Sequence, residues 1–272
     1  MDTNAVVKET SNFASVFLGL PKTQKHAMQI VYDFCRLMDD IVDESSDKNV
    51  ANQELLFWKS QIQNLKEPKV PLANKLSWVT ETFHMDANDY LWLIEGVEKD
   101  LYVKEYATWN ELYKYCDGVA TSVGQMCLNI FGVTPAISKP YTYATGRALQ
   151  LTNIARDVFV DADMGRIYIP KEHWEKFGVT KRHFFDRIWD HDFQKMYDDY
   201  LIKVFELYVQ SDQEKEKLQK SKIWPAEAMK KIYFKLFSKI KKNPQKILVT
   251  KVKVSNFYRL WTVLRLSLQA KL

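Results

Sequence analysis

The sequence predicts an all-α protein folded as one domain over residues 1–272, and three features of the sequence support this. Glycine is rare, with 8 residues in 272 or about 3%, whereas about 7% is usual and folds rich in tight turns need more. Apolar residues recur at helical spacing, and no segment alternates with the period of a strand for long enough to require a sheet. No repeat or low-complexity linker divides the chain, and 46% hydrophobic with 27% charged residues excludes a disordered protein.

The helices follow in order from the apolar stripes and from the prolines and glycines between them. A first helix is predicted over about residues 23–44, after Pro21, because seven apolar residues recur there at i, i+3 and i+4 spacing. The uncharged run over residues 118–138 contains polar side chains and a proline, which indicates a buried helix and not a membrane span. The further predicted helices contain Trp58 and Ile62, or run over residues 90–102, 109–131, 143 to about 161, 190–219, 225–242 and 257–268, with breaks near Pro68/Pro71, Pro135/Pro140 and Gly165/Pro170.

The net charge of +5 conceals an uneven distribution along the chain. Residues 220–272 carry 14 Lys or Arg and a single acid, Glu227, so this region sums to +13 and the first 219 residues to −8. Apolar residues over 229–240 form a helical stripe with lysines opposite, and core packing with a solvated lysine face is the favoured interpretation. A helix lying on an anionic membrane is one alternative. A scaffold or nucleic-acid binder that uses this basic C-terminal region is the non-enzymatic alternative.

Cysteine content and the N-terminal segment indicate the cellular compartment. Cys35, Cys116 and Cys127 form no C-x-x-C pair and are odd in number, which argues against a disulfide framework or a zinc site. The first thirty residues contain charges and no long apolar stretch, which argues against a secretory signal. We therefore expect a cytoplasmic protein whose membrane contact, if it has one, is peripheral and at the inner face.

A first group of carboxylates lies at the end of the first predicted helix. Asp39 and Asp43 are four residues apart and share a helix face, and Asp40 and Glu44 repeat this spacing on the neighbouring face. Like charges at this spacing oppose each other by about 0.2–0.5 kcal/mol, and carboxylates are disfavoured at a helix C-terminus. Such an arrangement indicates either a cation site or a solvated acidic helix end.

A second group of oxygen ligands favours the cation site. Asn153, Asp157 and Asp161 are successive i+4 positions on one predicted helix, with Gln150 one turn earlier. Two such acidic ladders facing each other across a helical bundle would hold Mg²⁺, which takes one or two carboxylates and leaves positions for phosphate oxygens. The chemistry indicated is the departure of a diphosphate, and the nearby cations that could bind it are Arg36, Arg156 and Arg166. Each arginine taken singly is equally consistent with a surface salt bridge.

The chain resembles the squalene and phytoene synthase family, the head-to-head isoprenyl diphosphate synthases. The resemblance covers nearly the whole sequence and is most specific in the block ending at Pro170, where the second ladder leads into a Gly165-Arg166 turn. The similarity implies an isoprenoid-synthase-type helical bundle around a central apolar cavity, with the uncharged residues 118–132 as one wall. The segments that carry it read SNFASVFLGLP from Ser11, YDFCRLMDDIVDE from Tyr32, and ALQLTNIARDVFVDADMGRIYIP.

The resemblance also implies roles for individual residues. A Mg²⁺ cluster would be bound by Asp39, Asp43, Asn153, Asp157 and Asp161, with Asp40 in support. The implied catalytic residues are Tyr115, Arg36 and the four ladder aspartates Asp39, Asp43, Asp157 and Asp161. The implied substrate-binding residues are Phe13, Tyr32, Arg36, Val119, Val123, Gln150, Asn153, Arg156, Arg166 and Tyr168.

The reaction that the resemblance implies is a Mg²⁺-dependent condensation of two farnesyl diphosphates to presqualene diphosphate. Asp117 and Thr121 depart from the common family pattern, in which glycine stands at the position of Thr121. A β-branched side chain there occupies space that glycine would leave beside the helix. We therefore predict that the cyclopropyl intermediate is less well placed for its second ionisation and is released still carrying diphosphate. The alternatives are enzymes that continue to dehydrosqualene, squalene or phytoene. NADPH and nucleic acid are not expected as partners.

Overall fold

The computed structural model describes residues 19–270, so the predicted substrate residue Phe13 lies outside the described residues. Within them the chain is helical, and the only strand-like pairing there is a single bridge between Glu105 and Ile167. The helices are α1 Lys22–Asp43, α2 Lys48–Gln63, α3 Pro71–Phe83, α4 Ala87–Tyr102, α5 Trp109–Cys116, α6 Ser122–Ile130, α7 Pro135–Asp163, α8 Lys171–Glu175, α9 Lys181–Phe185, α10 His191–Lys215, α11 Lys220–Lys242 and α12 Asn256–Gln269.

Helix α1 agrees with its sequence-based prediction to within a residue at each end. Its apolar stripe is buried, including Phe34 and Met38, and packs against α2, α3, α4 and α6. The chain then turns, and the Asp47 side chain accepts a hydrogen bond of 2.7 Å from the Asn49 N–H to begin α2. The acidic end of α1 is therefore held at the surface of an otherwise buried helix.

The segment predicted as one helix over residues 109–131 is interrupted by a π-helical turn, Asp117–Thr121, between α5 and α6. The backbones of α4 and this turn approach each other at Gly96 and Gly118, where a Cβ on Gly118 would lie 2.7 Å from the Gly96 Cα. Only glycine allows that approach. The turn changes which side chains of the segment face α4 and which face α7.

Helix α7 begins at Pro135, eight residues before its predicted start. Pro135 occupies the first turn, where a missing N–H costs nothing, and the helix continues past Pro140 to Asp163. Two residues after the helix, Gly165 has a φ of +74° and reverses the direction of the chain. The Ile167 N–H then donates to the Lys104 carbonyl at 2.8 Å, which returns the chain toward α4.

Three helices, α3, α8 and α9, were not predicted. Helix α3 buries only Ala73, Leu76 and Val79, and α8 and α9 are five residues each, so their apolar stripes are too short to be distinguished in the sequence.

Helix α11 settles the competing interpretations of its apolar stripe in favour of core packing. Its side chains from Met229 to Ile240 on that stripe are buried between α7, α10 and α12. One lysine departs from the expected solvated face, since Lys230 is 4% exposed and forms salt bridges of 2.6 Å to Glu227 and 2.9 Å to Asp212.

Candidate active site

A cavity of about 270 Å³ runs between α1, α4, α6, α7 and α11. Met28 and Val31, from the first half of α1, line its apolar end, whereas Asp39 and Asn153 line it near the C-terminal ends of α1 and α7. Those two helix ends meet, since Arg166, just after α7, lies 3.7 Å from the Asp43 carboxylate. The predicted site residues that line the cavity are Tyr32, Arg36, Asp39, Val119, Val123, Gln150 and Asn153.

The two acidic ladders reach the polar end of this cavity through Asp39 and Asn153, whereas Asp43, Asp157 and Asp161 are outside its lining. Partial loss of hydration and the neighbouring Asp43 carboxylate raise the pKa of Asp39 to about 7, although Arg36 opposes the shift. Loss of hydration and the charge of Asp157 likewise raise the pKa of Asp161 to about 7. Each ladder therefore carries negative charge that the protein does not fully compensate, which is the electrostatic condition for cation binding.

A carboxylate between the ladders, Asp100 on α4, escaped the sequence analysis. The Tyr115 hydroxyl donates to Asp100 Oδ2 at 2.8 Å, and the Tyr168 hydroxyl donates to Oδ1 at 2.7 Å. Burial raises the pKa of Asp100, and these two hydrogen bonds oppose the rise. Its charge contributes to the raised pKa values of both Asp39 and Asp161, so Asp100 connects the two ladders electrostatically.

The sequence contained a weak signal for Asp100. It continues the buried stripe of α4 through Leu93 and Val97 at i+4 and i+7 spacing, and a carboxylate on an apolar stripe is unusual. A lone residue of this kind is more often explained by a structural partner than by chemistry, and its tyrosine partners are 15 and 68 residues away.

Cations are close to the ladders. Arg36 pairs with Asp40 at 2.7 Å on α1, and Arg156 forms a bidentate pair with Asp157, with 2.9 Å between Nε and Oδ1. Lys251, which the sequence analysis did not select, lies on the loop before α12 with its Nζ 3.5 Å from Asp157 Oδ1. The Nε of Arg166 is buried without a hydrogen-bond partner.

The donor set fits a divalent cation bound jointly with a phosphate-containing ligand. Among residues 19–270, no three His, Cys, Asp or Glu side chains converge into a metal site of their own. However, the Oδ1 atom of Asn153 is buried without a hydrogen-bond partner, and Asp39 and Asp161 have pKa values raised to about 7. Mg²⁺ completes its coordination with water and phosphate oxygens and needs only one or two carboxylates. The oxygen donors in these positions therefore suit Mg²⁺, because phosphate oxygens and water would complete its coordination and a full set of protein ligands is not needed.

Residues 6–258 match the family described as squalene/phytoene synthase. A presqualene diphosphate synthase from Zymomonas mobilis subsp. mobilis is 34% identical over 267 residues, which cover 93% of this chain and 89% of that protein. The chain belongs to the squalene/phytoene synthase family. A 15-cis-phytoene synthase from Synechococcus elongatus is 27% identical and covers 86% of this chain and 82% of its own. The crystal structure of a dehydrosqualene synthase in complex with ligand superposes with a TM-score of 0.85 at 27% identity, covering 97% of this chain and 93% of that one.

Family membership confirms three predictions from the sequence, namely the resemblance itself, the all-α isoprenoid-synthase fold and an enzyme of the prenyltransferase class. Membership of an enzyme family argues against the non-enzymatic alternative, a scaffold or nucleic-acid binder. The roles of the individual site residues stay predictions.

Tyr115, the residue that the family resemblance implied to be catalytic, is 4% exposed and stacks on Tyr168 with ring centroids 5.2 Å apart. Burial, followed by the nearby Asp100 charge, raises the pKa of Tyr115 well above its usual range. Its hydroxyl is therefore neutral and directed at Asp100. Tyr115 cannot act as a preformed phenolate base in this arrangement.

The structure places Thr121 outside the cavity lining. Val119, Ala120, Val123 and Gly124 line the cavity, but Thr121 is 1% exposed and faces Gly146 of α7. Its side chain therefore fills space between the π turn and α7, and the release of the intermediate with its diphosphate stays a prediction.

The same turn explains the other departure from the family pattern. Asp117 forms a bidentate pair with Arg147, at 2.7 Å and 2.6 Å, and accepts a hydrogen bond of 3.1 Å from the Thr121 hydroxyl. The Arg147 guanidinium also stacks over the rings of Tyr113 and Tyr143. Asp117 and Thr121 therefore act together, as one buried network that joins the π turn to α7.

Proposed function

We propose that this protein condenses two molecules of farnesyl diphosphate head to head, in a Mg²⁺-dependent reaction, to presqualene diphosphate and diphosphate. The observation that carries the proposal is the polar end of the cavity, where uncompensated carboxylates and an unpartnered amide oxygen adjoin an apolar space. The presqualene diphosphate synthase that is 34% identical over nearly the whole chain supports the choice of product.

The residues that would hold Mg²⁺ are those of the two ladders. Asp39 and Asp43 supply carboxylates from α1, and Asn153, Asp157 and Asp161 supply oxygens from α7. When bound, Mg²⁺ neutralises charge on the departing diphosphate. Asp40 would have a supporting role, because it forms an ion pair with Arg36 and so orients that side chain.

The cations at the cavity mouth would bind diphosphate oxygens. Arg36 and Lys251 have side chains that are 58% and 51% exposed, so both can turn from their carboxylate partners to a ligand at little cost. Arg166 has an unpartnered Nε as well as its contact with Asp43. These groups place positive charge where the carbon–oxygen bond of the first substrate breaks.

The apolar end would enclose the farnesyl chains and exclude water from the allylic cation. In the condensation, C1 of the ionised substrate is attacked by the C2–C3 double bond of the second, and closure of the cyclopropane ring releases one proton. Tyr115 lies outside the cavity lining, and the relay that its hydrogen bond supports is acceptance of this proton at the hydroxyl oxygen while the hydroxyl proton passes to Asp100, 2.8 Å away. The raised pKa of Asp100 makes that carboxylate a suitable acceptor.

A second candidate is an enzyme that carries the intermediate to a hydrocarbon such as dehydrosqualene. The superposition on a dehydrosqualene synthase over 97% of this chain favours it. The position of Thr121 removes one argument against it, since this side chain does not line the cavity.

Product analysis separates the two candidates. The purified protein is incubated with farnesyl diphosphate and Mg²⁺ without a reductant, and the lipids are analysed before and after phosphatase treatment. We expect a phosphatase-sensitive C30 cyclopropyl product, formed only until a chelator removes the metal. Direct accumulation of dehydrosqualene, the C30 hydrocarbon that two farnesyl groups can form without a reductant, would establish the second candidate instead.

Variants of the ladders test the metal assignment. Asp157→Ala should lose at least about 100-fold in diphosphate release, because a lost metal contact is worth several kcal/mol in the transition state. Asp33→Ala on the exposed side of α1, where the side chain only accepts a hydrogen bond from Gln29, is the matched control. Equal activity of the two variants at saturating Mg²⁺ contradicts the assignment.

A further inference from the structure

Helix α12 has two apolar faces, and residues 19–270 cover only one of them. Thr262, Val263 and Leu266 are buried against the rest of the molecule, and α12 packs mainly on α11. On the opposite face, large apolar side chains recur three or four residues apart, which is the pattern of a second helical stripe. These residues and their exposed fractions are Phe257 80%, Leu260 53%, Trp261 46%, Leu264 56% and Leu268 55%.

The exposed apolar side chains of α12 lie on one side of the helix. We call Phe257, Leu260, Trp261, Leu264 and Leu268 the α12 face. Single exposed apolar residues are normal on a protein surface, but five on one side of a single helix form a contiguous interaction surface.

The part of the sequence that carries the α12 face is basic. No Asp or Glu follows Glu227 in the sequence, whereas eleven Lys or Arg lie between Ala228 and Ala270. On α12 itself Arg265 is exposed, and its guanidinium lies 5.2 Å from the Trp261 ring centre. An apolar stripe with Trp and Phe on a segment rich in basic residues is the composition of helices that lie in the interface of anionic membranes.

We propose that the α12 face docks onto the surface of a bilayer containing anionic phospholipids. The helix would lie in the membrane plane, with its aromatic and leucine side chains at the acyl boundary and with Arg265, and Lys253 just before the helix, at the headgroups. No helix among residues 19–270 has the length and hydropathy to cross a bilayer. The membrane contact is thus assigned to α12 and not to the lysine face of α11.

The position of α12 gives the docking a consequence for the cavity. Tyr233 of α11 lines the cavity, and α12 packs on α11. Helix α12 therefore lies behind the helix that forms one cavity wall. A docked enzyme would hold that wall next to the bilayer that receives a C30 product, and this consequence alone rests on the proposed function.

Sedimentation with vesicles tests the docking without any enzyme assay. The full chain is mixed with vesicles of phosphatidylglycerol and phosphatidylcholine, or of phosphatidylcholine alone, at 0.1 M and 0.5 M salt. We expect binding to the anionic vesicles that falls at least ten-fold at high salt. The double variant Trp261→Ser/Leu264→Ser should lose at least ten-fold in partitioning, and Lys253→Gln/Arg265→Gln should reduce both the binding and its salt dependence.

The control is Leu56→Ser/Phe57→Ser, which removes two exposed apolar side chains of α2 and should bind as the parent does.

Two other occupants of the α12 face would be recognised by different measurements. A second copy would produce a dimer that the α12 variant makes monomeric, and a segment of the same chain would lower the melting temperature of that variant by several degrees. Gly19, the first described residue, lies near Ser267 of α12, which makes the latter check necessary. Either signature with unchanged vesicle binding overturns the proposal, as does a parent protein that ignores lipid charge.

Discussion

Asp100 is the residue on which the two sides of the site depend. It accepts the hydroxyls of Tyr115 and Tyr168, while the main chain at the same residue accepts a hydrogen bond of 3.3 Å from Arg166. Residues from α4, α5 and the segment after α7 therefore meet at one carboxylate. The electrostatic influence of Asp100 on both ladders follows from this central position.

Replacing Asp100 by Asn tests its part in the proton transfer. We expect Asp100→Asn to lower kcat about 100-fold with little change in KM, because an amide is almost the same size but cannot accept the proton. The Asp100→Asn/Tyr115→Phe double variant should be hardly worse than either single variant, since both act on one hydrogen bond. Glu95→Gln, at an exposed position of the same helix, is the control. Additive losses in the double variant would show that the two residues act separately.

The raised pKa values of Asp39 and Asp161 predict a competition between protons and Mg²⁺. Both values, about 7, lie above the usual value near 4, so the metal-free folded protein holds extra protons between about pH 4 and 7. These groups favour the folded state at low pH, and that contribution disappears as the pH rises through 7. We expect Mg²⁺ to bind more tightly at pH 8 than at pH 6, by about ten-fold for each of the two carboxylates that must lose a proton to bind the metal.

Calorimetry measures this competition directly. Titrations of Mg²⁺ in buffers of different ionisation enthalpy should report proton release on binding at pH 6.5, and the release should decrease in Asp39→Asn. The rise in melting temperature caused by Mg²⁺ should be larger at pH 8 than at pH 6. Binding that is independent of pH would mean that these carboxylates are not the ligands.

At the scale of the elements, the π turn determines how α4, α7 and the cavity wall fit together. Its network contains a nearly buried ion pair, with Asp117 9% and Arg147 26% exposed in their side chains. The turn also directs Val119 and Ala120 toward the cavity and Thr121 away from it. The network therefore has a structural effect on the site although none of its side chains lines the cavity.

Breaking the pair should be costly. Arg147→Met leaves the Asp117 carboxylate uncompensated, and we expect about 3–5 kcal/mol less free energy of unfolding in urea. Arg182→Ala breaks an exposed pair with Asp186 and should cost less than about 1 kcal/mol. The combined Asp117→Leu/Arg147→Met variant should regain part of the lost stability. No difference between the Arg147 and Arg182 variants would show that the π turn does not depend on the pair.

At the scale of the whole molecule, the site exists because two long helices, α1 and α7, end near each other around an apolar space. Helix α7 contacts α6, α10, α11 and the π turn, and α1 contacts α2, α3, α4 and α6. A buried network ties α11 to the same framework, with the Tyr141 hydroxyl donating to Glu227 at 2.8 Å beside Lys230. The cavity is thus enclosed by helices that are each anchored elsewhere.

Filling the cavity should remove activity and leave the fold intact. Val123→Phe adds volume at a half-buried position of the cavity wall, and we expect at least a ten-fold loss of turnover with farnesyl diphosphate and a melting temperature within a few degrees of the parent. Val50→Phe, at an exposed position of α2, should change neither quantity. A fully active Val123→Phe enzyme would mean that the prenyl chains bind elsewhere.

How much could be predicted from the sequence differs between local and distant relations. The i+4 spacing of Asp39 and Asp43, and of Asn153, Asp157 and Asp161, fixes a shared helix face wherever the helix lies. The stripe of α11 was interpreted correctly because its apolar residues keep one period for twelve residues. Asp100 and Lys251 escaped because each is a single residue whose partners are distant along the chain.

The sequence by itself determined the all-α class, the two acidic ladders and the family, since these depend on local periodicity and on motifs within one segment. Only the tertiary structure decided that the ladders meet around Asp100, that Thr121 turns away from the cavity and that residues 19–270 leave one apolar face of α12 exposed. The physical reason is that helical spacing specifies which residues share a face, whereas packing between helices specifies what that face meets. The five-residue π turn changes what the faces of its segment pack against, although the helical spacing in the sequence does not reveal the turn.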